Sequence, residues 1–197
     1  LTITRSTLSD KELERLSNKL KNLEKLHMAG NGISDEGAMH LDNLPNLIGV
    51  QLDNTFVSSK REDELVTTLR ARALRTRHSF SHGRSGFARE APTAEFIATV
   101  GEIIAGGAGV WPSQSGIVVT LFPNWSGGDE GLALLTQLGN VARIHVKAPL
   151  TDTSIGHLTK LTTLQSVYLE EGCSISYAVF SLFHKTLPYT RIFPPSL

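Results

Sequence analysis

The sequence holds a single cysteine, Cys173, which excludes an internal disulfide framework and any multi-cysteine zinc site. No apolar run approaches the roughly 20 residues that a membrane-crossing helix needs. Formal net charge is zero, so no overall excess of either sign points to nucleic acid or to an anionic membrane. Motifs that announce chemistry are missing as well. There is no G-x-x-x-x-G-K-[ST] phosphate loop and no G-x-S-x-G nucleophile elbow, although Ser, His and Asp all occur. Two glycine-rich stretches, "AGGAG" at 105–109 and "GGDEG" at 127–131, could suggest a phosphate cradle. Such a cradle needs positive charge at a helix start, and Asp129 and Glu130 put negative charge there. Both stretches read as structural punctuation.

What is present is a pattern written more than once. "ISDEGAMHLDNLPNLIGVQL" at 33–52 has a near-copy 94 residues later, "GGDEGLALLTQLGNVARIHV" at 127–146. Asp10, Asp35, Asp129 and Asp152 are each followed by an apolar or small residue at three positions (Leu13, Ala38, Leu132, Ile155) and again at six (Leu16, Leu41, Leu135, Leu158). Asp10 to Asp35 is 25 residues and Asp129 to Asp152 is 23, a period in the low twenties. After each helical stretch comes Leu-x-x-Leu-x-Leu or its equivalent: Leu23, Leu26, Met28; Leu47, Val50, Leu52; Val141, Ile144, Val146; Leu164, Val167, Leu169. Alternation at period two turns these side chains inward along a short strand and their neighbours outward. Small polar residues follow, Asn31, Thr55 and Cys173, where a side chain can bond the turn's free backbone groups. The helix entries "SDKE", "ISDEG" and "LTD" carry Asp or Ser as the cap, and Ser9 with Glu12 spells a capping box.

A β–α unit of this kind has one apolar face and must stack on a neighbour to bury it. In residues 1–58 and 116–193 the Thr/Ser-Asp-x-Gly-Leu entry joined to Leu-x-x-Leu-x-Leu resembles leucine-rich repeats of the ribonuclease-inhibitor-like type, in the short bacterial form. Pro149 departs from that pattern, standing where Asn or Thr is usual. The resemblance implies an α/β solenoid: a right-handed β–α superhelix with parallel strands on one face and helices on the other. It also implies closing units. "SYAVFSLFHKTLPYTRIF" at 176–193 matches a helix followed by Leu-Pro-x-Thr-Arg-Ile, and 59–77 is read as a related cap. The expected organisation is thus a first block at 1–77, a linker or long loop at 78–91, and a second block at 92–197. The second block opens with a cap helix that ends at Gly106-Gly107, followed by strands near 109–111 and 117–122.

The outward strand positions are the candidate binding residues: Lys25 and His27, Gln51 and Asp53, Arg143, His145 and Lys147, Tyr168 and Glu170. Their mixture of basic, acidic and aromatic groups suits a protein partner. His27 and His145 hold equivalent strand positions, but two histidines without a Cys or carboxylate cluster at ligand spacing fall short of a metal site. Cys173 lacks a paired base and reads as a turn residue, and the sequon "NWS" at 124–126 reads as chance. The expected function is therefore a non-enzymatic protein-binding module with no catalytic residue, metal or cofactor.

Two other readings follow from other features. Residues 60–89 hold eight basic and three acidic residues, so the Arg-rich stretch 70–89, with His78, His82, Phe80 and Phe87, could grip a nucleic-acid backbone. Alternatively, the chain is the recognition arm of a larger enzyme. Leu1 already lies inside a repeat, so the chain reads as part of a longer protein whose upstream portion would carry any signal or anchor. A cytoplasmic setting is the expectation.

Overall fold

The structure, a computed structural model, describes residues 1–76, 81–83, 91–170, 173 and 175–193. It divides into two compact units, Leu1–Ile97 and Ala98–Leu197. The first contains α1 (Asp10–Lys19), β1 (Lys25–His27), α2 (Asp35–Met39) with a 3-10 turn at His40–Asn43, β2 (Gly49–Gln51), α3 (Ser59–Thr76) and β3 (Ser81–Gly83). These strands form one parallel sheet in the order β1-β2-β3, with Leu26 opposite Val50. β3 falls inside the stretch expected to be a linker, and it pairs through its backbone with β2.

The helix α4 (Ala94–Ala105) leads into the second sheet. Gly107, at φ 97, makes the turn out of it, and a Cβ there would lie 2.8 Å from the Asn124 carbonyl oxygen. The sheet runs β4 (Ala108–Ser113), β5 (Gly116–Leu121), β6 (Val141–Val146), β7 (Ser166–Leu169) and β8 (Arg191–Phe193) in that order. Between the parallel strands lie α5 (Gly128–Leu134), α6 (Asp152–Leu158) and α7 (Tyr177–Thr186).

The expected solenoid, a right-handed β–α superhelix, does not form. The strands belong to two separate sheets, and β4 pairs with β5 antiparallel, as a hairpin closed at Ser113–Gly116. A superhelix of like-handed β–α units has neither feature. The chain is instead a mixed α/β protein with one short parallel sheet and one mostly parallel five-stranded sheet. The cause is local: the period is absent from 59–115, and β4, at the end of that stretch, folds antiparallel against β5 where a parallel strand would be needed.

Inside each unit the leucine spacing does what the alternation requires. Leu26, Val50, Ile144 and Val167 are all buried. Leu13, Leu41, Leu44, Leu47, Leu65 and Leu69 are essentially inaccessible and belong to one core cluster in the first unit. Each buried leucine contributes roughly 1.5–3 kcal/mol relative to exposure. The turn positions are also occupied as the spacing suggests. Thr55 donates to the Leu52 carbonyl at 2.7 Å, and the Cys173 thiol donates to that of Ala148 at 3.3 Å.

A second set of contacts ties one β–α segment to the next. The Asp10 carboxylate accepts from the N–H (2.8 Å) and the hydroxyl of Ser34, and Asp35 accepts from the N–H and the hydroxyl of Ser58, both at 2.6 Å. In the second unit, Ser154 donates to Asp129 (3.0 Å), and the Ser176 N–H donates to Asp152 (2.9 Å). Each aspartate therefore does two things: it sits in the first turn of its own helix, where negative charge suits the dipole, and it fastens the entry of the helix that follows.

Two of these carboxyls are shifted in opposite directions. Burial holds Asp10 above the ordinary aspartate value despite its bonds from Ser34, whereas the bonds from Ser176 hold Asp152 below it. Asp152 therefore contributes stability that is full above the ordinary aspartate value and is lost as pH falls through its lowered folded value. Asp10 runs the other way: its contribution is full below the ordinary value and is lost as pH rises through its raised one. A carboxyl-carbon NMR titration should show Asp10 taking up its proton at higher pH than Asp152. The reverse order would mean that burial does not govern Asp10.

Candidate functional site

In parallel strands in register, residues at the same position stand one strand spacing apart, about 4.8 Å. Planar side chains there can stack face to face. In the second unit His145, Tyr168 and Phe193 share one register position across β6, β7 and β8. Their rings do stack: His145 on Tyr168 at 4.7 Å and 7°, and Tyr168 on Phe193 at 4.5 Å and 5°. Each such pair is worth roughly 0.5–1.5 kcal/mol beyond its buried area. His145 and Tyr168 are half-buried and Phe193 is 40% exposed, so the ladder turns ring edges to solvent.

One row away, on the same side of the sheet, the register aligns Arg143, Ser166 and Arg191. Both arginines are exposed, and neither has an ion-pair or hydrogen-bond partner for its side chain among the described residues. At the other end of the face Lys147 pairs with Glu170 at 3.0 Å. That exposed pair adds under about 1 kcal/mol, but it neutralises this end. The opposite parity is wholly aliphatic: Val119, Ile144 and Val167 are buried, and Val167 lines a small apolar cavity with Ile155, Phe180, Phe183 and Ile192.

The remaining sequence-derived candidates lie in the first unit. His27 and Gln51 are half-buried and face each other in register, Lys25 is exposed beside them, and Asp53 follows β2. With Leu1 and Thr2, whose backbone runs along β1, Lys25, His27 and Gln51 border a shallow groove over Gly49. No aromatic stack was found among the described residues of that face. The nine candidates therefore fall into two groups, one on each sheet.

The ladder's third ring, Phe193, and Arg191 are absent from the candidates drawn from the sequence, which end at Glu170 because 176–193 reads as a closing cap. A signal was there. Arg143-Ile144-His145 and Arg191-Ile192-Phe193 are the same Arg-Ile-ring triplet, 48 residues apart and so two periods of 24.

Two arginines of the basic segment are engaged inside the first unit. Arg61 reaches the Ala38 carbonyl (3.0 Å) and the Asp42 carboxylate (2.7 Å), and Arg72 donates to the carbonyls of Leu44 (2.8 Å) and Asp42 (3.0 Å). They cap the carbonyl end of α2 and its 3-10 turn. Of the rest of that stretch, Arg77, His78, Phe80, Arg84, Phe87 and Arg89 lie outside the described residues, as does the His82 side chain.

"GGDEG" proves to be a seat for a ring. A Cβ on Gly127 or Gly131 would come within 2.4 or 2.7 Å of the Trp125 indole. Burial pushes the Cys173 thiol up, so it stays protonated near neutrality. Iodoacetamide at pH 7.5 is expected to modify Cys173 roughly tenfold more slowly than free cysteine. A rate equal to or above that of free cysteine would mark it as an activated nucleophile.

Among the described residues no group of three His, Cys, Asp or Glu side chains is placed to hold a metal ion, and no helix is long and apolar enough to cross a membrane. No protein-family model matches the chain, and no curated protein does.

Proposed function

We propose that the protein is a non-enzymatic docking module that binds another protein on the outward face of its second sheet. The observation that carries this is the ladder His145–Tyr168–Phe193, three rings in register on a partly exposed sheet face. Aromatic side chains with arginine beside them form the energetic centre of protein interfaces. The ladder arrives with its rotamers already fixed by stacking, so less side-chain entropy is lost on binding. The Leu-x-x-Leu-x-Leu spacing, with its resemblance to leucine-rich repeats, supports the same reading, because it is what turns alternate strand residues outward. Lys25, His27, Gln51 and Asp53 extend the proposal to the first sheet.

The test is comparative affinity capture from the source cell, quantified by mass spectrometry. Wild type is set against a Gln51→Ala/His145→Ala/Tyr168→Ala variant whose fold is checked by circular dichroism. Interface centres of this composition lose upwards of 1 kcal/mol per truncated anchor, so a specific partner should fall roughly tenfold or more. Equal recovery on both proteins would contradict the proposal.

A further inference from the structure

The face described above is not evenly charged, and the imbalance says what should sit on it. Lys147 is neutralised by Glu170 at one end. At the other end Arg143 and Arg191 stand on β6 and β8 with only the small Ser166 between them on β7. Two strand spacings separate their backbones by about 9–10 Å. Ser166 therefore forms the floor of a notch with a guanidinium on either rim. Its hydroxyl has no partner among the described residues, and neither guanidinium has an anion.

We infer that this face takes an acidic protein segment, an Asp or Glu carboxylate seated over Ser166 between Arg143 and Arg191, with an apolar side chain of the same segment on the edge of the Tyr168–Phe193 stack. The inference rests on the docking face proposed above and adds the chemistry of its occupant. Guanidinium donors match a carboxylate with paired, charge-assisted hydrogen bonds. Successive rows on one side of a strand lie about 6.7 Å apart. That suits an acidic and an apolar side chain two residues apart in an extended segment, or one turn apart on a helix.

Single-stranded nucleic acid offers negative charge too, but it fits less well. Base binding uses open ring faces as stacking platforms, whereas both faces of Tyr168 and one of Phe193 are already covered within the ladder. The Lys147–Glu170 pair, being neutral, also offers no further positive charge along which a phosphate backbone could continue.

The experiment selects random twelve-residue displayed peptides on the 197-residue chain. It uses three proteins: wild type, Arg143→Glu/Arg191→Glu and Phe193→Ala. Both arginines are exposed, so the charge reversal leaves the core untouched. The expected result is enrichment of Asp- and Glu-containing peptides on wild type, a loss of roughly tenfold or more in their affinity on the reversed protein, and enrichment of Lys and Arg peptides there instead. Selected peptides that lack acidic residues, ignore the reversal and weaken on Phe193→Ala would overturn the acidic occupant while leaving the docking face standing. Peptides indifferent to all three changes, or none selected, would overturn both. Salt-sensitive binding of a 20-nucleotide oligothymidine that the reversal abolishes, with no peptide selected, would replace the inference by nucleic-acid binding.

Discussion

Replacing Gly37 by alanine is expected to destabilise the first unit by about 2–3 kcal/mol, opposite in sign to the gain that a glycine-to-alanine change in a helix ordinarily brings. A Cβ built on Gly37 lies 2.0 Å from Oδ1 of Asp10, 2.7 Å from its Cγ and 3.1 Å from its Cα. The carboxylate could swing aside only by giving up the N–H and the hydroxyl of Ser34, the cap of α2. The Asp10 backbone could retreat only by shifting α1 against the core. Gly101 in α4 is the control: a Cβ there meets nothing within 4 Å. Gly101→Ala should therefore gain roughly 0.5–1 kcal/mol through helix propensity and loss of unfolded-chain entropy. Urea titration of both variants, with a Gly37→Ala/Asp10→Ala double variant, decides the matter. Because the clash is with Asp10, the double variant should cost clearly less than the two singles added together. Simple additivity, or a Gly37→Ala cost under 0.5 kcal/mol on the order of experimental scatter, would place the glycine's role elsewhere.

Asn31→Ala is expected to be the most damaging single truncation of a polar side chain, costing about 3 kcal/mol or more. Asn31 is fully buried. Its Oδ1 accepts from the N–H (3.1 Å) and hydroxyl (2.7 Å) of Ser6, and its Nδ2 donates to the carbonyls of Ile3 (2.8 Å) and Ala29 (3.3 Å). One side chain thus holds the N-terminal segment to the turn after β1. Truncation leaves several groups without partners at once, each costing roughly 1–3 kcal/mol where water cannot reach. Asn31→Asp should be at least as costly at neutral pH, because it aims a carboxylate at two carbonyl oxygens. Denaturant midpoints and amide exchange at Ser6 report the effect. A loss below about 1 kcal/mol for Asn31→Ala would mean that water replaces the missing bonds.

Much of this was legible in the sequence because it is local. Alternation placed Leu26, Val50, Ile144 and Val167 inward, and the spacing after each strand placed Asn31 and Thr55 where side chains bond backbone. Ser9 and Glu12 do meet at the start of α1, with the Glu12 carboxylate accepting from the Ser9 N–H and hydroxyl. What the period could not reveal was whether successive strands share a sheet. That depends on the aperiodic stretch 59–115, whose last strand, β4, folds back on β5 to open a second sheet. Nor could the letters distinguish jobs done by the same residue type. Gly37 and Gly131 align in the duplicated Asp-Glu-Gly, yet one makes room for a carboxylate and the other for the Trp125 indole. The aspartates beside them read as local caps, and their bonds to serines 23–25 residues away emerge only when neighbouring segments pack. Phe193 was hidden for a similar reason: a closing cap also supplies a strand, and its ring completes a ladder begun two strands earlier.

The most direct measurement is photo-crosslinking in the source cell from two positions of the second unit. One chain carries a photoreactive benzoylphenylalanine in place of Tyr168, and another carries it in place of the exposed Lys160, just beyond α6. A discrete polypeptide captured from position 168 and not from 160 is the expected result. Capture from 160 alone, or the same products from both, would contradict docking on the ring ladder.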